Sequence, residues 1–487
     1  TPPADCPWPW AKVVFTADIN VTAGIQFDRT ADFWLGGTVI FFGTTAEPSP
    51  SLGPSWHVES DLTDYSPLFM TSQQGTADIG NLVNTTYTGI IFASATLEFY
   101  PLAKNQTAPV TANVVLPLSA GSTGGTVALN TTTDTLSATY SFPTNIQNAY
   151  LDIYSQSQSN DEFWYTCVPN DVSTELESCA NTGFRETEVT IDGTPAGVAP
   201  VSPWIYTGGI DPWLWFPIPG VQTLNFIPYR VDLTPFAALL SNGAQHTVAV
   251  SVFNADSYFS DTASLLLYLD AGSTTVSGGI IKNSLAAAPN LVVKENLNVG
   301  TSSLTGGVDV ASNRNFTISG FVNTSHGKVT TMIAQKLNFS NNQSFEINST
   351  QYIQNINLKS SVNSTTTVAT SGQPTITTTK TWEFPLTLDI SEFFVASGGI
   401  NQTTKARQTY SVGQVIQQNG VTTSMGMVTN NAQRQDTLEF NPSGNLIGNI
   451  NQSASQTYSE TNFPVNYFCT IAAAGNVLTS FSPGCAQ

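Results

Sequence analysis

An all-β fold is what this sequence predicts, and three observations predict it. Helical periodicity is almost absent, runs alternating apolar and polar residues recur at short intervals, and 36 Gly and 27 Pro punctuate the whole chain as turn formers. Short strands at such spacing build sandwiches or barrels. At 487 residues the chain exceeds one hydrophobic core, so two or three domains are expected.

Taken in order, residues 12–16, 38–42 and 89–99 read as strands, with Gly36-Gly37 as a hairpin turn. The first domain closes near Tyr100-Pro101 and is taken as residues 1–105. A Pro/Thr/Asn-rich connection leads into a second sandwich, residues 106–272, with strands at 149–154, 188–193, 246–252 and 264–269. Residues 273–487 turn rich in Ser, Thr, Asn and Gln but still alternate, at 315–322 and 382–390. Aromatic and β-branched residues stay frequent there, so the region reads as a β-rich glycosylated domain rather than disorder. Its expected role is scaffold or substrate access.

Fifteen Lys and Arg face 34 Asp and Glu, a net charge of −19. That balance excludes nucleic acid, whose phosphates need basic neutralisation, and anionic membranes. It suits an acidic medium, where net charge is shed. No apolar run reaches the length of a membrane span. Thr1-Pro2-Pro3-Ala4-Asp5-Cys6 reads as the start of a mature chain without its targeting segment. Twelve Asn-X-Ser/Thr sequons, at Asn20, Asn84, Asn105, Asn130, Asn315, Asn323, Asn338, Asn342, Asn348, Asn363, Asn401 and Asn451, point to an exported glycoprotein. Secretion, or delivery to an acidic compartment such as a vacuole, is the expected localisation.

Of five cysteines, Cys167 and Cys179 flank a short polar segment and read as a loop staple. Cys469 and Cys485 would similarly tie the C-terminal region, leaving Cys6, though spacing alone does not fix connectivity. The three histidines, His57, His246 and His326, are scattered, and no zinc spacing occurs. No metal or organic cofactor is expected.

Only 10% of the residues are charged, which singles out Asp28-Arg29 at the mouth of an aromatic strand. An acid so placed is either a surface ion pair or a carboxylate held for chemistry. A first cluster runs from this pair through Glu47 to Trp56 and His57. A second comprises Asp161, Glu162, Phe163, Trp164 and Tyr165, then Arg185 and Glu186, then the aromatic run through Trp213 and Trp215. Carboxylates beside aromatic rings suit carbohydrate, because sugars offer hydroxyls to acids and C–H faces to rings. Aromatics also pack at sheet margins, so a structural role for Trp213 and Trp215 competes, and His57 reads as a loop hydrogen-bonding residue.

Cys6-Pro7-Trp8-Pro9-Trp10, Phe27-Asp28-Arg29, Trp34-Leu35-Gly36-Gly37, Thr44-Thr45-Ala46-Glu47-Pro48, Leu82-Val83-Asn84, Glu162-Phe163-Trp164-Tyr165 and Tyr206-Thr207-Gly208-Gly209-Ile210 together resemble one family. It is the acidic peptide-N-glycanases of plants and fungi, the peptide-N4-(N-acetyl-β-glucosaminyl)asparagine amidase A type. The matching segments cover most of residues 6–270, in one order. More faintly the chain resembles the bacterial peptide-N-glycosidase F type, which implies two adjacent jelly rolls, with the third β-rich region read from composition following them.

The resemblance implies hydrolysis of the amide joining N-acetylglucosamine to asparagine, on N-glycopeptide or N-glycoprotein substrates, with no cofactor. Asp28 would be the acid/base, Arg29 would set its position and ionisation, and Glu162 would hold the water or first sugar. Phe163, Trp164 and Trp213 would form a sugar-stacking wall, with Trp56 and Arg185 as further substrate contacts. Glu186 is the rival to Glu162. The bacterial type's third acid has no direct match, so that role is absent or falls to Asn81, Asp78 or Glu47. A glycoside hydrolase, a non-catalytic glycan binder and a cell-wall glycoprotein are the competing readings.

Overall fold

The computed structural model describes residues 2–462 and 465–486, and its regular structure is almost wholly strand. In the first region Trp10–Val21 alternates so that Val13, Phe15, Ala17 and Ile19 face one core. This strand pairs antiparallel with Ser55–Asp61 and with Ile91–Pro101. A second three-stranded sheet holds Thr30–Leu35 between Thr38–Thr44 and Gly75–Ile79. Across the core Phe15 stacks on Phe41 with ring centroids 5.5 Å apart. Gly36 and Gly37 turn the hairpin with φ of 58° and 80°, the left-handed pair that a two-residue connection matched to strand twist requires.

The second region packs a five-stranded sheet, built on Ile146–Gln158 and Tyr258–Leu269, against a four-stranded one built on Glu186–Ile191 and Gln245–Phe253. Leu151, Ile153, Val189, Val250, Leu265 and Leu267 fill the space between. The opposite face of the five-stranded sheet meets the first region. Leu266 joins the first core, and the Tyr65 hydroxyl donates to Asp152 at 2.8 Å.

Residues from Ser277 onward form one antiparallel sheet of twelve strands. Ser303–Thr324 and Gly327–Asn348 run 22 residues each, roughly 70 Å at strand rise. The predicted strand at 382–390 is two strands, Ile376–Glu383 and Leu386–Phe394, laid end to end between the same neighbours. Pro385 makes the break, since it has no N–H to give the ladder.

Burial alternates along these strands, and the inner residues Val308, Phe316, Ile318, Phe339, Ile356 and Leu388 merge with the core of the second region. The polar composition is also accounted for. Threonine hydroxyls pair across strands, as in Thr403 with Thr437 and Thr457 with Thr470, at 3.0 and 2.9 Å. All twelve sequon asparagines are exposed or partly exposed. Disulfides join Cys167 to Cys179 and Cys469 to Cys485, leaving Cys6 free and buried.

Candidate active site

Asp28 and Glu47 come together because the two strands of the Gly36-Gly37 hairpin stay paired up to its open end. Thr30 pairs with Thr44, the Thr45 N–H donates to the Arg29 carbonyl at 2.8 Å, and the Arg29 N–H donates to the Thr45 hydroxyl at 2.9 Å. That ladder sets the Asp28 N–H 3.3 Å from a Glu47 carboxylate oxygen.

The loop Tyr206-Thr207-Gly208-Gly209 of the second region then stitches the two regions at the same point. Thr207 accepts from the Glu47 N–H at 3.0 Å and donates to the Thr45 carbonyl at 3.1 Å. Gly208, at φ +86°, lies so close that a Cβ there would fall 2.3 Å from the Glu47 carboxylate. A Cβ on Gly209 would meet the Phe163 ring at 3.1 Å, so the loop spans from Glu47 to the neighbour of Glu162.

Glu162 follows the strand Ile146–Gln158 through the short 3-10 turn Ser159–Asp161. Asp161, just before it, is wholly buried. Its carboxylate takes Arg185 at 2.7 and 2.8 Å and three backbone N–H groups, from Asp256, Ser257 and Tyr258. Arg185 spends its remaining donors on the carbonyls of Asn181, Thr182 and Phe184. This brace fixes the turn on which Glu162 stands, while Glu162 itself stays partly exposed.

Three acids therefore converge from positions 28, 47 and 162. Burial pushes the Asp28 carboxyl well above the ordinary carboxylate range, and the charges of Glu162 and Glu47 push it further. The field of Arg29 opposes this and is the weakest contributor. Burial likewise raises Glu47 and Glu162 to about 7 each, with Glu162 adding to the rise at Glu47. Buried like charges cannot all ionise together, so the cluster retains protons near neutrality. Tyr206 is buried beside Glu162 and Asp28, and both acids disfavour its ionisation. Its hydroxyl donates to the Ser157 carbonyl at 2.9 Å.

Several sequence expectations are corrected. Arg29 forms no ion pair with Asp28 among the described residues. Its Nε donates to Gln26 at 2.9 Å, and its guanidinium lies 5.5 and 5.1 Å from the Phe27 and Tyr87 ring centres. Trp164 is completely buried against Tyr165 and Phe339, so it is core and not a sugar wall. Arg185 is enclosed in the brace just described and offers nothing to a substrate. Glu186 is buried and bound to Arg314 of the large sheet, which removes it as a rival to Glu162.

Both ends of the Asn81 amide bind the Ile91 backbone, at 3.0 Å each, a structural task. Asp78 pairs in register with Asp32 on an exposed sheet edge. Trp56 stands opposite Ile19 in the other sheet and lines a separate hollow with His57 and Phe92. His57 bonds Asp18 across strands at 2.8 Å. Phe163 and Trp213 remain partly exposed.

Sequence reasoning passed over Tyr206, Thr207 and Gly208 as site residues. The signal was the Gly208-Gly209 pair itself, since a doubled glycine in an aromatic run marks close approach of another group.

The large sheet holds both loops of the second region that border the acids. Asn341, Gln343 and Gln354, all buried, donate to carbonyls of Tyr165, Cys167 and Thr166 at 2.8 to 3.1 Å. Gln402, Gln408 and Arg434 do the same for Ile210, Pro203 and Ile218 at 3.1, 2.8 and 3.2 Å.

Residues 1–284 match the model of the family described as peptide N-acetyl-beta-D-glucosaminyl asparaginase amidase A. The chain belongs to this family. A curated relative from Prunus dulcis, peptide-N4-(N-acetyl-beta-glucosaminyl)asparagine amidase A, is 32% identical over 359 residues, 70% of this chain. The chain spans 62% of that relative's length. Among solved structures, two crystal forms of PNGF-II share 14% identity and a TM-score of 0.36, covering 54% of this chain and 59 and 58% of theirs. All of the converging groups, Asp28, Glu47, Glu162 and the 206–209 loop, fall inside the family-matched residues.

Proposed function

We propose that this protein is a peptide-N4-(N-acetyl-β-glucosaminyl)asparagine amidase that hydrolyses the sugar–asparagine amide of N-glycopeptides or N-glycoproteins. The observation that carries this reading is the convergence of Asp28, Glu47 and Glu162 at a partly exposed junction, all three with raised carboxyl pKa. Family membership supports the reaction class.

Cleaving an amide requires adding water to the carbonyl carbon and protonating the departing nitrogen. Asp28, whose anion is disfavoured by burial and by its two acidic neighbours, gives its proton to that nitrogen as the C–N bond breaks. The attacking water loses its proton to an ionised neighbour, and Glu162 holds this water or the first sugar. Glu47 is the third acid, and its approach to the Asp28 N–H keeps the two carboxyl groups in one register. Phe163 and Trp213 form the stacking wall. The products are a glycosylamine and a peptide carrying aspartate.

We also read residues 1–105 and 106–272 as jelly rolls and 273–487 as their buttress. Strand orders separate for each supports that division. Solvent-facing sequons, two disulfides and the net charge of −19 support a glycosylated protein secreted into an acidic medium.

The test is to incubate an N-glycopeptide with the protein in mild acid and weigh the peptide. An amidase leaves aspartate where asparagine was. A peptide that keeps one N-acetylglucosamine instead establishes a glycoside hydrolase and overturns the proposal.

A further inference from the structure

The molecule has clefts away from the acid cluster. Two adjoining hollows, of about 410 and 760 Å³, share Val110 and Arg230 and include none of the three acids. The smaller forms where the first region leaves the outer face of the five-stranded sheet uncovered, and the large sheet closes it from the side. Its volume falls within the roughly 300–1,000 Å³ of sites that hold small ligands.

Two aromatic pairs line this cleft. Tyr229 and Trp382 lie with ring centres 5.0 Å apart, and Tyr150 and Tyr268 meet at 5.7 Å. Arg230 binds Asp152 through two nitrogens at 2.7 and 2.8 Å and Asp64 through the third at 2.6 Å. On the large sheet, Lys380 makes no ion pair among the described residues, and the Gln335 amide lies beside the Tyr229 hydroxyl.

Arg230 and Lys380 stand with Asp232 in the smaller hollow, and Lys12 and Arg230 stand with Glu59, Asp61, Asp64 and Asp152 in the larger, so charges of both signs are interspersed with a modest acidic excess. A strongly anionic or cationic ligand gains little from such a lining. A neutral ligand rich in hydroxyls uses all of it, because hydroxyls both donate and accept while sugar C–H faces cover aromatic rings.

We propose that this cleft is a second carbohydrate-binding site, for a neutral oligosaccharide, separate from the acid cluster. The strand Ile146–Gln158 connects the two places. Tyr150 lies in the cleft, and Gln158 binds Thr30 beside the acids at 3.2 Å, eight residues and roughly 26 Å away. A branched glycan, or a second glycan on the same protein, would thereby be held while the first is cleaved, raising its effective concentration. The cleft would bind sugar whether or not the acids are catalytic.

The experiment is calorimetric titration of the full chain with mannotriose, and with sialyllactose as an anionic arm. Binding of mannotriose is expected, weakened roughly tenfold by Trp382→Ala and less by Trp382→Phe. Hydrolysis of a short glycopeptide carrying one sugar should be unchanged in the same variants, which also shows that they fold. Mannotriose affinity untouched by Trp382→Ala, or preference for sialyllactose, overturns the proposal. Trp382-dependent binding in a protein without amidase activity would uphold the cleft and sink the amidase reading instead.

Discussion

Asp28 is adjacent to Arg29 in sequence, whereas Asp161 and Arg185 are 24 residues apart, and it is the distant pair that meets. Asp161 has Arg185 and three backbone N–H groups on its carboxylate, all within 3.1 Å. Asp28 has two further acids for neighbours and no cation within ion-pair distance among the described residues. The two acids differ in their partners. Where a cation and backbone donors are supplied, as at Asp161, the buried carboxylate is hydrogen-bonded on all sides and serves as a brace. Where they are withheld, burial raises the carboxyl pKa and leaves a proton available for transfer. Glu47 and Glu162 belong with the proton holders, and burial raises Glu186 to about 7 as well, outweighing the cation of Arg314 that binds it.

The comparison breaks most decisively at Asp28. Asp28→Asn keeps the shape and removes the proton, so hydrolysis should fall roughly 10²–10⁴-fold with an unchanged melting temperature. A folded variant with full activity would end its assignment as acid/base. Arg185→Ala attacks the other side of the contrast by stranding the Asp161 charge. A stability loss of about 3–5 kcal/mol is expected in denaturant unfolding. If unfolding is unchanged, the brace contributes nothing.

Gly208→Ala joins the two arguments. Its Cβ would fall 2.3 Å from the Glu47 carboxylate at a backbone φ of +86°, so Glu47 must move. Activity should drop by up to ~100-fold, since displacement by an ångström costs about that much. Wild-type kcat/KM in this variant would show that Glu47 has no positioned role.

The smallest effect is on pH dependence. Glu47 and Glu162 titrate near 4.5 when unfolded and about 7 when folded. Across that window the folded chain holds protons that the unfolded chain has released. The share of stability from these groups is thus full below the window and lost as pH rises through it. The melting temperature should be higher at about pH 5 than at about pH 7.5. Glu47→Gln with Glu162→Gln should flatten the difference, and an undiminished slope in that double variant would place the titration elsewhere.

Much of the fold was legible. The strands at 12–16, 38–42 and 246–252 lie inside longer observed strands, and Gly36-Gly37 makes its predicted turn. Both cysteine pairs close in the order expected. The site was legible only in part. Asp28 and Glu162 converge, and Glu47 was one of three candidates for the third acid. Trp164, Arg185 and Glu186 were misread as substrate contacts because acid, arginine and aromatic are also the materials of a buried brace. Nothing in the residue types separates Trp164, fully buried, from Trp213, partly exposed.

What the sequence determined by itself is local. Strand alternation has a period of two, turns need glycine at left-handed φ, and sequon asparagines fall on the solvent face because their neighbours fill the core. Only the tertiary structure decided which acids lose their cations and which gain them. Positions 28, 47, 162 and 206–209 meet through loops from two sandwiches, and the large sheet fixes the loops of the second with amide side chains. A carboxyl pKa depends on the water and charge around it, and those are set by groups remote in the chain.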